Sequence, residues 1–212
     1  MPYPKDQKTK TKDRILAAAI DLFSRNGFDK VSIGQIMKAA KMTHGAFYAH
    51  FDSKEDLFKA SFLETVKRSR AARLVKGPLS VNHLTELVTH YWNLRELEKN
   101  AMPGPETLLF NEVGNSNISV RRLFEESYDN LRKMVETRLI ALSKLKQLPI
   151  EASREIVGEK SRVILSLLIG AVVVAKTITH EEERRGILEA AQKQILVMLG
   201  VGGELVLEAK HY

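Results

Sequence analysis

His44, Tyr48, His50 and Lys54 bring two imidazoles, a phenol and an ammonium group into one short stretch, separated by the small residues Gly45, Ala46 and Ala49. Donors and acceptors interleaved with small side chains suit the reading of a polar, anionic surface at close range, where small residues admit the partner and longer ones reach it. Catalysis has no such pattern. The chain contains no G-x-S-x-G elbow, P-loop, G-x-G-x-x-G or H-E-x-x-H sequence, and so no catalytic residue or cofactor is expected. Its histidines, at 44, 50, 83, 90, 180 and 211, include no i,i+4 pair. His83 and His90 could share a helix face but read as surface residues, so no metal is expected. Asn111 and Glu112, beside Phe110, are either polar anchors of a cavity or solvated residues of a short helix, and the solvated reading is preferred.

The elements that position the 43–54 stretch follow from periodicity. Ile15, Leu16, Ala19, Leu22 and Phe23 recur at helical spacing from Asp13, and Asn26-Gly27 ends that helix. Ser32 reads as the N-cap of a short helix whose apolar stripe is Ile33, Ile36, Met37 and Ala40. Lys41-Met42-Thr43 makes the turn, Thr43 is a candidate cap, and within a further short helix from His44 to His50 the spacing puts Phe47 and Phe51 inward. Gly45, Tyr48 and Ala49 then point outward. Ser53 caps a longer helix carrying Glu55 and Asp56 in its first turn and running to about Val75. Two short helices joined by a three-residue turn behind a supporting helix are the parts of a helix-turn-helix, which presents the N-terminal end of its second helix to the DNA major groove. His44-Gly45-Ala46 meets the demand for small or polar residues there. Tyr48 and His50 add hydrogen bonds, and Lys54 stands at a helix N-terminus, itself a phosphate site.

Charge agrees. The chain of 212 residues carries a formal net charge of +7. Residues 1–76 hold 16 Lys and Arg against 8 Asp and Glu, while residues 77–212 hold 17 against 18. The entire basic excess lies in the first third, as expected for an anionic partner. A composition of 44% hydrophobic and 28% charged residues is globular, and zero Cys excludes disulfide scaffolds, thiolate metal sites and cysteine catalysis. The longest nearly apolar stretch, Val163 to Ala175, is 13 residues, too short to span a bilayer. With no signal-peptide pattern, a cytoplasmic location without membrane association is expected.

The run Ile15-Leu16-Ala17-Ala18-Ala19, Leu22-Phe23, Gly27-Phe28, Ser32-Ile33, Ile36, Ala39-Ala40, Gly45-Ala46-Phe47-Tyr48, His50-Phe51 and Ser53-Lys54-Glu55-Asp56-Leu57-Phe58 resembles the DNA-binding region of the tetracycline-repressor (TetR/AcrR-type) family, in one register over about 45 residues. The resemblance implies an all-α chain, with an N-terminal three-helix helix-turn-helix domain followed by a helical ligand-binding and dimerisation domain, about nine helices in total. It implies a ligand-responsive transcription factor, normally a repressor, that binds double-stranded DNA as a homodimer. It makes Thr43, His44, Gly45, Tyr48 and His50 DNA-facing, Ser32 and Lys54 phosphate contacts, and Phe47 and Phe51 core. Two positions depart from the family pattern. Lys41 stands where glycine is usual, so a non-glycine residue is expected in a left-handed conformation at a cost of about 1 kcal/mol. His44 stands where a lysine is common, replacing a fixed charge by one donor and one acceptor.

The expected division is 1–52 for DNA binding, 53–76 for a connecting helix, 77–200 for the helical effector and dimerisation domain, and 201–212 for a tail. Ser80 caps a helix bearing Leu84, Leu87, Val88, Tyr91 and Trp92. A short helix follows around Leu108 to Val113, then a long one from Ser119 through Leu142, one from Glu151 to Thr177, and a last one opened by a Thr179-x-x-Glu182 capping box and stopped at Gly200. Val172-Val173-Val174 is read as helix rather than strand because the pattern around it is helical. Ser166, Gly170 and Ala171 allow close helix approach and, with Val174, Leu188 and Ile195, are the candidate dimer interface. Phe62, Tyr91, Trp92, Phe110, Tyr128 and Met134 are the candidate lining of an apolar cavity for a neutral or cationic hydrophobic effector. The competing reading is a helical ligand carrier or enzyme whose basic N-terminus docks on an anionic surface.

Overall fold

A computed structural model describes residues 5–68, 78–91 and 104–201, and among these every regular element is a helix. They are α1 (Lys5–Asn26), α2 (Ile33–Ala39), a 3-10 turn (His44–Ala46), α3 (Lys54–Arg68), α4 (Val81–Tyr91), α5 (Pro105–Asn111), α6 (Ile118–Lys144), α7 (Arg154–Thr177) and α8 (Glu181–Leu199). The valine run lies inside α7, as its surrounding periodicity requires. None of the described helices is long and apolar enough to cross a membrane.

The chain divides into two compact units, Met1–Ser69 with Met102–Glu125, and Arg70–Ala101 with Glu126–Tyr212. The expected 77–200 domain is divided differently here. Residues 104–125 belong with the N-terminal helices because Leu108, Val120 and Leu123 are buried in the same core as Ile15, Phe23, Ile36 and Phe58. Likewise, all of α3 lies in the first unit, where Leu57, Phe58 and Phe62 face that core.

The first unit is held by an aromatic cluster. Phe58 meets Phe23 and Phe28 edge-on at 5.0 and 5.2 Å between ring centroids, and Phe62 meets Phe124 at 5.0 Å. Rings in such geometry add about 0.5–1.5 kcal/mol per pair beyond the area they bury. The second unit has an aliphatic core in which Leu139 and Leu142 of α6, Leu165, Leu168 and Val172 of α7, and Leu188, Ile195 and Leu199 of α8 interdigitate. Each contributes about 1.5–3 kcal/mol of transfer free energy.

Caps explain the boundaries. Ser32 Oγ accepts the Gln35 N–H at 3.2 Å while Gln35 Oε1 accepts the Ser32 N–H at 2.7 Å, a reciprocal capping box at the start of α2. Ser53 Oγ accepts from Asp56 N–H at 3.0 Å at the start of α3, and Ser80 Oγ from His83 N–H at 3.1 Å at the start of α4. At the end of α2 the N–H groups of Lys41 and Met42 return to the carbonyls of Lys38 and Met37, and Lys41 has φ 55°, the left-handed residue that the sequence required there. The same closure recurs after α6 at Lys146, φ 57°. One expected cap is corrected. The last helix starts at Glu181 with His180 as its N-cap, so Thr179 and Glu182 do not form its capping box.

Candidate nucleic-acid interface and effector cavity

The segment read as a short helix over His44–His50 is a single 3-10 turn followed by tight turns. Thr43 occupies the N-cap position, but its side chain makes no capping bond. Phe47 and Phe51 are buried and anchor the segment one helical turn apart, with the Phe51 N–H donating to Phe47 O at 3.0 Å. Those anchors turn the intervening residues outward. Thr43, His44, Gly45, Tyr48 and Ala49 are exposed, Tyr48 to 60%. Its ring rests edge-on against Phe47 at 5.1 Å and lies 6.0 Å from the His44 ring, so a large aromatic is held in place on an open surface. A Cβ added at Gly45 would meet nothing within 4 Å, and the residue has no positive φ. Nothing inside the chain demands glycine there. Ala46 differs from its neighbours, being half-buried and packed on the core of the first unit.

Ser32 is exposed at the N-terminus of α2, its oxygen accepting from Gln35 and its hydroxyl proton not committed by that bond. Lys54 is half-buried at the N-terminus of α3, its Nζ 4.2 Å over the ring centroid of Phe28. Desolvation lowers its pKa, while the carboxylates of Asp29, Glu55 and Glu112 oppose that shift. His50 is also half-buried, and its Nδ1 is enclosed with no hydrogen-bond partner. Burial first, and then the charges of Lys8 and Lys12, lower its pKa, so the ring is neutral at pH 7.

Sequence reading missed the lysines. Because α1 begins at Lys5 rather than near Asp13, its first turns bring Lys8 and Lys12 close enough to act on His50, and Lys12 Nζ stands 5.4 Å over the Phe51 ring. The charge asymmetry contained this signal, but the extra helical turns that place it do not show in an apolar stripe. Glu112 is corrected too: 6% exposed, it accepts the Phe28 N–H at 2.6 Å, whereas Asn111 is exposed as expected while its Nδ2 donates to Ser24 O.

In the second unit, Leu84, Val88, Met134, Val135, Arg138, Leu139, Ile164, Leu168, Ile195 and Leu199 line a cavity of about 30 Å³. That is room for about one water. Arg138 is the one charged side chain among them; burial lowers its pKa, and its Nη2 donates to Pro78 O. Of the residues expected to line an effector cavity, Met134 is in the wall of this one. Phe62 is instead committed to the core of the first unit against Phe124, Phe110 is exposed on α5, and Tyr128 is partly exposed on α6. Trp92 and the Tyr91 side chain lie outside the described residues.

Of the expected dimer residues, Ser166 and Val174 are exposed and Gly170 is half-buried, all on α7. Ala171, Leu188 and Ile195 are corrected: they are buried within the chain's own α7–α8 core, and a partner could reach them only by opening it.

An exposed polar face on a core-anchored turn, flanked by basic helix termini, has the layout of a helix-turn-helix reading head. A sequence profile described as "Bacterial regulatory proteins, tetR family" matches residues 15–61. The chain is 31% identical over 144 residues to the HTH-type transcriptional regulator AcrR of Shigella flexneri, covering 62% of this chain and 66% of that protein, just under two thirds of its length. Its fold is similar to that of a TetR transcriptional regulator from Chloroflexus aurantiacus, at TM-score 0.69 and 21% identity over 92% of this chain and 96% of the other. It is similar as well to the SmeT–triclosan complex, at TM-score 0.69 and 19% identity over 89% and 90% of the two chains. Residues 15–61 thus match the tetR family of bacterial regulatory proteins in sequence, and the described helices match TetR-type regulators in fold.

Proposed function

We propose that this protein is a transcriptional repressor that binds an inverted-repeat operator in double-stranded DNA as a homodimer, works in the cytoplasm, and is released by a small hydrophobic effector. The observation that carries the reading is the outward face of the 43–50 turn: Thr43, His44, Gly45 and Tyr48 stand free of the core, with Ser32 and Lys54 at helix N-termini on either side in sequence. In this reading His44 and Tyr48 meet the groove, while Ser32, Lys54 and the α1 lysines hold phosphates.

Dimerisation is assigned to the exposed side of α7 and α8. Val163, Ser166 and Val174 on α7, together with Gly186, Ala190 and Val197 on α8, form a small and apolar surface suited to close helix packing. The effector is assigned to the cavity between α4, α6, α7 and α8, which opens further to admit it, since drug-sized ligands occupy about 300–1,000 Å³. Arg138 in its wall favours a neutral molecule over a cation, narrowing the class expected from composition. The similarity to a structure complexed with triclosan supports an effector that is apolar.

A mobility-shift assay against the DNA flanking the protein's own gene, at two salt concentrations, tests the reading. A discrete complex that outlasts excess unrelated DNA and weakens with salt is expected. Equal affinity for every duplex would overturn it.

A further inference from the structure

We propose that Glu112 is a positioning residue for DNA binding: its buried carboxylate fixes Phe28, and through the Phe28 ring it sets where the Lys54 ammonium meets a phosphate. The proposal rests on the operator-binding reading above.

Glu112 caps the C-terminus of α5, its N–H returning to Leu109 O and Phe110 O. One carboxylate oxygen accepts the Phe28 N–H at 2.6 Å and the other accepts from Asn115 Nδ2. Beside it, Asn111 Nδ2 donates to Ser24 O. The loop leaving α1 is therefore gripped at two points by the end of α5. Gly27 makes the grip possible. It has φ +78°, so a side chain there would strain the turn, while the glycine lets the backbone run in van der Waals contact with Glu112 and Asn111. Phe28 is buried, and Lys54 Nζ lies 4.2 Å over its ring.

Filling the hydrogen bond of one loop N–H needs only a neutral acceptor. A carboxylate enclosed at this point does more, because its charge also acts on Lys54, together with Asp29 and Glu55. The ammonium thus rests on the ring face within the field of three carboxylates, and its direction depends on where Phe28 sits. A shift of Glu112 moves Phe28, and the Lys54 group moves with it. Because Glu112 itself carries negative charge, deleting that charge would strengthen DNA binding if simple electrostatics governed. A positioning role gives the opposite sign.

The test uses the full chain and the operator fragment found in the shift assay, with fluorescence anisotropy over a salt series and thermal unfolding in parallel. Glu112→Gln, which keeps an acceptor, is expected to unfold within a few degrees of the wild type but to bind operator about fivefold more weakly. Its salt slope is expected to fall by about one, as in Lys54→Ala. In the Lys54→Ala background Glu112→Gln should cost less than twofold. Asn115→Ala, which frees the other carboxylate oxygen and leaves Glu112 in place, should lose affinity in the same direction and serves if Glu112→Gln fails to fold. Unchanged or tighter binding by these variants, or an undiminished loss in the Lys54→Ala background, overturns the proposal. A wild-type chain that shows no preference for any fragment overturns the operator reading, and this one with it.

Discussion

The Lys54 ammonium sits 4.2 Å above the ring of Phe28, so the cation offered at the start of α3 is braced by an aromatic face from the loop after α1. A braced lysine acts as a point charge of fixed position, which suits holding a phosphate and carries no information about bases. Lys54→Ala is therefore expected to weaken binding to operator and to unrelated duplex by similar factors and to reduce the log–log salt slope by about one, read by anisotropy titrations at several salt concentrations.

Gly45 is the reverse case, a residue whose smallness has no use inside the chain. Since a side chain there meets open space, Gly45→Leu should leave the melting temperature unchanged while cutting operator affinity by about tenfold or more, a loss comparable with one good base contact of about 1–3 kcal/mol. Paired thermal-shift and binding measurements decide it, and equal affinity would remove Gly45 from the contact surface.

His50 ties stability to pH. Its pKa in the folded chain lies below the ordinary 6.5, from burial and from Lys8 and Lys12. Between the lowered value and 6.5 the unfolded chain binds more protons, so stability present above that window is lost as pH falls through it. Denaturant unfolding between pH ~7.5 and ~5 should show this fall, and His50→Gln should flatten it. A variant as pH-sensitive as the wild type would assign the effect elsewhere.

On the last two helices, exposure separates partner contacts from core. Val174 is 47% exposed and Ile195 is fully buried. Val174→Arg should give a folded monomer by sedimentation, whereas Ile195→Ala should lower stability by about 2–5 kcal/mol in denaturant titrations. An intact Val174→Arg dimer would move the interface away from this side of α7.

What could be read from sequence divides by distance along the chain. The Ser32, Ser53 and Ser80 caps, the Asn26-Gly27 stop and the left-handed Lys41 all rest on partners within five residues, and all are present. Glu112 bonds a residue 84 positions away, so its neighbours in sequence suggest a solvated helix end. Phe62 has the spacing of a helix face but not the identity of what covers it, which is Phe124. Leu188 and Ile195 share one apolar stripe with no mark distinguishing the chain's own core from a partner. The turn at His44–Ala46 stays short because Phe47 and Phe51 are pinned by the core, and helical periodicity cannot register a helix that tertiary packing cuts off.

The central claim is that two copies of this chain read an inverted repeat through the 43–50 turn. Footprinting on the selected operator, with complex mass measured on the same fragment, tests it most directly. The account predicts two protected half-sites whose centres lie roughly 10 bp apart, or a multiple of that, with two chains per repeat and protection lost in Gly45→Leu. Protection of a single unrepeated site by one chain, or a footprint unchanged in Gly45→Leu, would contradict it.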